Sequence, residues 1–131
     1  MENLRDKYIS VFFKKLSQET KKNIYFDEFM WHAFSYDAVS NLKYGDAIKE
    51  FKKRDKNDVY IFFQESDKIL EKKDLAYSEL LRIWGKSDKE LDCYVVDKNF
   101  EWTFVLTHET LDSEDDYYIG PFFTSINMIN K

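Results

Sequence analysis

The stretch from Asp92 to Glu109 constrains the fold more than any other part of the chain. Its sequence, DCYVVDKNFEWTFVLTHE, predicts two strands joined by a tight turn at Lys98-Asn99, because asparagine tolerates the left-handed backbone conformation of such turns. Pairing Val96 with Glu101 divides the side chains with a period of two, which is typical of a half-buried antiparallel hairpin. One face would carry Cys93, Val95, Phe100, Trp102, Phe104 and Leu106, and the other Asp92, Tyr94, Val96, Glu101, Thr103, Val105 and Thr107. A lone hairpin is marginal in water, so other elements must cover its aromatic face.

Helical and strand patterns elsewhere predict an α+β fold. Apolar residues recur at helical spacing in four segments, at about residues 2–16, 18–36, 46–54 and 74–84. The second helix is apolar on nearly every side in FDEFMWHAFSY, which predicts a central helix packed on the hairpin. Strands are predicted at about 58–65, 91–97 and 100–108, with a candidate edge strand at 117–124. We therefore expect a single domain, residues 1–131, whose small antiparallel sheet is centred on the 92–109 hairpin and packs against N-terminal helices.

Charge and cysteine content exclude several classes of function. The net charge of −5 disfavours nonspecific binding of nucleic acid or of anionic membranes. Cys93 is the only cysteine, so the chain cannot form an internal disulfide, and a reducing compartment such as the cytoplasm is expected. No apolar run approaches the ~18 residues of a membrane span, and the N-terminus lacks the apolar core of a signal peptide.

The two histidines are candidate metal ligands. If the fold brought His32 and His108 together, their imidazoles and the carboxylate of Glu109 or Asp97 would suit a divalent cation. The sequence has neither HExxH nor a close Cys/His cluster, so structural or solvent-facing histidines are the alternative interpretation. Cys93 and His108 would similarly pair as nucleophile and base, but Cys93 occupies a core position, where a thiol behaves as a small hydrophobe.

Two charged segments are candidate interaction surfaces. The acidic loop and the tyrosines after it would suit a basic protein partner, because aromatic side chains anchor interfaces and charges form their rim. The residues concerned are Asp112, Glu114, Asp115, Asp116, Tyr117 and Tyr118. The alternative is a solvated loop followed by a strand that buries half of its aromatics. The basic run formed by Lys49, Lys52, Lys53, Arg54 and Lys56 is interrupted by acidic residues, which favours a solvated helix face over a phosphate site.

Three blocks of sequence resemble one family. WHAFSY at 31–36, YVVDKNFEWTFVLTHE at 94–109 and GPFF at 120–123 are similar to the signature blocks of domain-of-unknown-function family 4275, a bacterial family found mainly in Bacillus and its relatives. DAIKEF and VYIFFQESD also look similar, so the resemblance covers most of residues 17–123. The chain between Glu109 and Gly120, which contains the acidic loop, looks longer than the family pattern, so the resemblance implies no shared role for this loop. The resemblance implies no activity, catalytic residue or cofactor.

The leading functional hypothesis is a small module that binds another protein without catalysis and without a cofactor. One version is an immunity or inhibitor protein that neutralises a basic toxin domain. Two alternatives remain open: a small metal-dependent enzyme using His32, His108 and Glu109, and a small-molecule-binding domain with a pocket lined by Trp31 and Trp102. We expect neither a nucleic-acid nor a membrane partner, and the oligomeric state does not follow from the sequence.

Overall fold

One antiparallel sheet organises the part of the chain that the structure describes. The structure is a computed structural model, and it describes residues 3–24, 26, 29–54, 58–64, 68–85, 92–107 and 121–130. The helices among these residues are α1 (Leu4–Phe12), α2 (Gln18–Asn23), α3 (His32–Ser35), α4 (Tyr44–Lys52), α5 (Tyr77–Gly85) and α6 (Ile126–Ile129). The strands are β1 (Leu42–Lys43), β2 (Val59–Phe63), β3 (Ile69–Lys72), β4 (Cys93–Asp97), β5 (Trp102–Leu106) and β6 (Phe122–Ser125).

The hairpin lies at the centre of this sheet. The described strands are ordered β1-β6-β5-β4-β2-β3, and every neighbouring pair is antiparallel. The central pair, β4 and β5, comes from the stretch that the sequence singled out. The α+β fold class is therefore confirmed.

Both faces of the hairpin are buried, so the prediction of a half-buried hairpin is wrong. All residues of β4 and β5 are buried, because helical segments cover the sheet on each side. On one face, which we call the N-terminal face, Tyr94, Val96 and Val105 pack against α1 and against described residues between Ile24 and Val39. On the other, which we call the α4/α5 face, Val95, Trp102 and Phe104 pack against α4 and α5. The N-terminal helical region thus packs on the hairpin as predicted, but on the face opposite Trp102.

The register of the hairpin differs from the predicted one by two residues. Val96 pairs with Thr103 instead of Glu101. Because side chains alternate with a period of two, a shift of two residues leaves the division into faces unchanged. Phe100 is the exception, since it precedes β5 and packs on the N-terminal face.

The turn also differs from the expected one. Phe100, not Asn99, adopts the left-handed conformation, with φ of 56°, and its N–H donates to the carbonyl oxygen of Asp97 at 2.8 Å. A bulky residue with positive φ is strained. Burial offsets this strain, because the Phe100 ring is only 6% exposed and the Nζ atom of Lys7 lies 4.5 Å from its centroid. A longer connection, from Lys98 to Glu101, replaces the predicted two-residue turn.

The predicted helix at 18–36 is wrong in its middle. Helix α2 ends at Asn23, and α3 begins only at His32. Two side chains, one on β4 and one on the residue after β2, accept hydrogen bonds from the end of this connection. The N–H of Met30 donates to Oε1 of Gln64 at 2.9 Å, and that of Trp31 to the Tyr94 hydroxyl at 3.1 Å. The interruption lets apolar side chains from this segment reach one sheet face, whereas a continuous helix would have pointed some of them away from it.

The predicted edge strand at 117–124 also needs correction. Its described part belongs to β6, which pairs with β5 on one side and with β1 on the other, so it is an internal strand. Strands β1 and β3 were not predicted, because strands of two and four residues with mixed polarity carry little periodic signal. The single-turn helix α6, which follows the N-cap Ser125, was not predicted either.

Two buried tyrosines connect the N-terminal region to the sheet through hydrogen bonds. The Tyr8 hydroxyl lies 2.8 Å from Oγ1 of Thr103. The Thr103 hydroxyl donates its proton to the carbonyl oxygen of Val95 at 2.7 Å, so Tyr8 is the donor in its hydrogen bond with Thr103. The Tyr94 hydroxyl donates to Oε1 of Gln64 and accepts the N–H of Trp31. These bonds satisfy polar atoms that burial would otherwise leave without partners.

Candidate functional site

His32 is held in one tautomer at the start of α3. Its Nδ1 atom lies 2.6 Å from the carbonyl oxygen of Ile24. Because a carbonyl oxygen only accepts, Nδ1 carries the proton, and in the neutral ring Nε2 is an acceptor. Aromatic rings surround the imidazole, with the centroids of Trp31, Phe29 and Tyr36 at 4.5, 5.0 and 5.4 Å. This hydrogen bond therefore joins the first residue of α3 to Ile24, the residue that follows α2.

Of the other members of the predicted metal site, only Asp97 belongs to the described residues. His108 and Glu109 lie outside the described residues. Asp97 ends β4 and is buried, and Cys93 begins that strand with no exposed surface. Within the described part of the chain, no three His, Cys, Asp or Glu side chains form a group that suits a metal ion.

The predicted pocket between Trp31 and Trp102 is wrong, because the sheet separates the two side chains. Trp31 stacks on Phe122 with centroids 6.3 Å apart, and Trp102 stacks on Phe123 with centroids 5.9 Å apart. Phe122 and Phe123 are successive residues of β6, so they point to opposite faces. Each indole fills part of a different core.

The basic run forms ion pairs at the end of α4. Nζ of Lys53 lies 2.9 Å from Oε1 of Glu50, and Nη1 of Arg54 lies 3.0 Å from Oε2 of the same residue. Hydrogen bonds from Lys53 and then from Arg54 hold the pKa of the Glu50 carboxyl below its usual value. These are the i,i+3 and i,i+4 pairs of an exposed helix surface. Lys56 lies outside the described residues.

The predicted partner-binding residues, from Asp112 to Tyr118, lie outside the described residues, but the ends of their segment are described. The chain enters the segment after Thr107 and leaves it at Pro121. Val105 pairs with Phe122 across β5 and β6, so both ends lie at the same end of the sheet. There the N–H of Tyr44 donates to the carbonyl oxygen of Pro121 at 2.8 Å.

Two exposed tyrosines lie on either side of β1 in the sequence, and the sequence analysis missed both. Tyr44 is 43% exposed with φ of 53°, and Tyr36 is 63% exposed. Asp37, beside Tyr36, also has a positive φ of 56° and forms an ion pair with Lys43. Non-glycine residues with positive φ cost on the order of 1–3 kcal/mol each and cluster at functional sites. The residues Tyr44-Gly45-Asp46 are typical of a turn before a helix, but the exposure of the two tyrosines is a property of the fold.

Comparison with known proteins identifies the family but no relative with an assigned role. Among the described residues, no helix has both the length and the apolar character needed to cross a membrane. No curated protein and no solved structure gives a significant match to the chain. A family model does match, over residues 2–123 of 131. The chain belongs to the family described as domain of unknown function (DUF4275).

Proposed function

We propose that this chain is a non-catalytic bacterial protein of the cytoplasm that binds a basic protein partner. The distribution of charge carries the proposal. Residues 108–120 hold five of the 25 carboxylates and none of the 20 lysines and arginines, so the rest of the chain has equal numbers of each sign. All of the net charge of −5 thus belongs to one segment. Such a concentrated field attracts an oppositely charged surface and speeds association with it.

Aromatic side chains near the ends of that segment support the same proposal. The backbone N–H of Tyr44 donates a hydrogen bond to the carbonyl oxygen of Pro121, the first described residue after the segment. Tyr117 and Tyr118 belong to the segment itself. Tyrosine is enriched among the residues that dominate binding energy, whereas charges mostly form the rim. An immunity or inhibitor protein that neutralises a basic toxin domain is one form that such a surface would take.

Charge reversal in the segment is expected to abolish the complex. The partner would be captured from the native host with the tagged chain and then purified. Replacing Asp112, Glu114, Asp115 and Asp116 with lysine turns attraction into repulsion, so we expect no measurable binding by calorimetry. The pair Asp115→Lys and Asp116→Lys should weaken binding at least about tenfold, or about 1.4 kcal/mol, with a smaller loss at higher salt.

A matched control distinguishes the effect of the acidic segment on binding from the effect of the net charge of the whole chain. Glu19→Lys with Glu71→Lys changes the net charge by the same amount at two exposed positions outside the segment. We expect that variant to keep most of the affinity. Unchanged affinity in the Asp115/Asp116 pair, with an intact melting curve, would remove the acidic segment from the interface.

The fixed tautomer of His32 favours a second candidate, a metal or small-molecule site. A histidine whose Nδ1–H donates to a backbone carbonyl presents Nε2 as a ligand atom, which is the usual arrangement of metal-bound histidines. His108 and Glu109 would be the remaining ligands.

This second candidate predicts stoichiometric zinc, manganese or iron in protein purified without chelators. The variants His32→Asn and His108→Ala should both lose the metal. Asparagine is a useful replacement at position 32, because its amide N–H reaches the Ile24 carbonyl oxygen much as Nδ1 does but provides no Nε2. Metal-free wild-type protein by elemental analysis, or metal retained in His32→Asn, would exclude the candidate.

A further inference from the structure

A cleft lies at the end of β5 and β6 opposite to Thr107 and Pro121, the two described residues that flank the acidic segment. It has a volume of about 300 Å³, and six residues line it: Arg54, Glu101, Trp102, Ser125, Ile126 and Asn127. They come from three places: the end of α4, the start of β5, and the junction of β6 with α6. This volume is at the lower limit of small-molecule sites, so the cleft suits a ligand smaller than a nucleotide.

Arg54 presents unused donors to this cleft from a fixed position. Its Nη1 atom donates to the backbone oxygen of Glu50 at 2.7 Å and to the Glu50 carboxylate at 3.0 Å. The guanidinium carbon lies 4.8 Å from the Phe123 ring centroid and 5.8 Å from that of Trp102. In the described part of the chain, Nε and Nη2 have no hydrogen-bond partner. A guanidinium held in this way suits a carboxylate, because two parallel N–H donors match its two oxygens.

Trp102 adds a donor for which the described residues provide no acceptor. The residue is 3% exposed and forms part of the cleft wall, and its Nε1 atom has no hydrogen-bond partner among the described residues. Buried indole N–H groups usually find an acceptor. A ligand oxygen in the cleft would supply one.

Glu101 gives the cleft a second, opposite charge. Its side chain is exposed, and no described residue pairs with its carboxylate. Although Glu101 and Arg54 line the same cleft, they form no ion pair with each other. A simple anion would be repelled by Glu101, and a simple cation by Arg54. A ligand that carries both charges would satisfy the two residues together.

We propose that this cleft binds a free α-amino acid, with its carboxylate on Arg54 and the Trp102 indole N–H and its ammonium group on Glu101. Ser125 and Asn127 contribute polar groups to the same wall. None of the lining residues belongs to the acidic segment, so the proposal does not depend on the proposed protein-binding function.

The test follows the indole N–H signals of ¹⁵N-labelled protein during titration with the amino acids one at a time. The chain has three tryptophans, and the variant Trp102→Phe assigns the signal of Trp102. We expect a saturable shift of that signal with at least one amino acid at millimolar concentration. Acetate, methylammonium and inorganic phosphate, each of which carries one charge type, should leave it unchanged. No saturable shift with any amino acid, or an equal shift with acetate, would overturn the proposal.

Two pairs of variants test the assigned contacts. Arg54→Gln and Glu101→Gln should each weaken amino-acid binding at least about tenfold, because each removes one of two charge-assisted contacts. Lys53→Gln and Glu71→Gln are the matched controls. Lys53 pairs with the same Glu50 as Arg54, and Glu71 is an exposed glutamate on β3. Binding that survives both cleft variants, or that falls equally in the controls, would contradict the assignment.

Discussion

Replacing Phe104 with alanine is expected to lower the free energy of unfolding by about 3–5 kcal/mol, measured by urea denaturation. The side chain has no exposed surface and lies in the middle of β5. Its ring stacks on that of Phe51, with centroids 4.5 Å apart and an interplanar angle of 10°, and meets the edge of Tyr77 at 6.1 Å. Truncation removes these contacts and leaves a cavity between the sheet and its helices that they cannot fill.

A loss of this size is a large fraction of the roughly 5–15 kcal/mol that stabilises a typical domain. The control is Tyr36→Ala, which removes a ring that is 63% exposed and should change the unfolding free energy by less than about 0.5 kcal/mol. If Phe104→Ala unfolded at the same urea concentration as the wild type, position 104 would not lie in a packed core.

The sequence predicted the faces of the hairpin well because period-two alternation tolerates an error in register. Cys93, Trp102 and Leu106 share a face in the structure although the predicted pairing was wrong by two residues. The left-handed residue of the turn was not predictable in the same way. Local preference favours Asn99, but Phe100 takes that conformation because its ring is buried against the N-terminal region.

The break between α2 and α3 depends on partners far away in the sequence. Gln64 and Tyr94 bind the N–H groups of Met30 and Trp31 at separations of 34 and 63 residues, and a local pattern contains no record of them. A continuous apolar segment therefore resembled one central helix. Tertiary hydrogen bonds replaced intrahelical ones.

The candidate sites were less predictable than the fold. The cleft draws residues from positions 54, 101–102 and 125–127, so no sequence motif joins them. The exposure of Tyr44 follows from its position beside β1. The acidic segment could be identified from the sequence, because charge is visible without a structure. That the chain leaves this segment beside Tyr44 could not, because it follows from the pairing of β5 with β6 and from the hydrogen bond between Tyr44 and Pro121.

Alkaline pH is expected to destabilise the fold steeply through Tyr8 and Tyr94. Both side chains have no exposed surface, and burial raises the pKa of each phenol well above the usual value. The negative charge that Tyr8 would carry once ionised, and that of Asp92, raise the pKa of Tyr94 further. The unfolded chain loses both protons near pH 10, whereas the folded chain keeps them. The stabilisation is therefore complete below about pH 10 and is lost as the pH rises above it.

Each retained proton contributes a slope of about −1.4 kcal/mol per pH unit, so the two tyrosines together contribute about −2.7 kcal/mol per pH unit above pH 10. Urea unfolding at a series of pH values measures this slope in the wild type, in Tyr8→Phe and in Tyr94→Phe. Each replacement should remove about half of the contribution, because phenylalanine has no proton to lose. Tyr36→Phe, which removes the hydroxyl of an exposed tyrosine, is the matched control. Burial also raises the pKa of the half-buried Tyr77. Its contribution to the slope is the same in all of these proteins and cancels in the comparison. If Tyr94→Phe kept the wild-type slope, the Tyr94 phenol would titrate in the folded protein as it does in water. Solvent would then reach the hydroxyl despite its hydrogen bonds to Trp31 and Gln64.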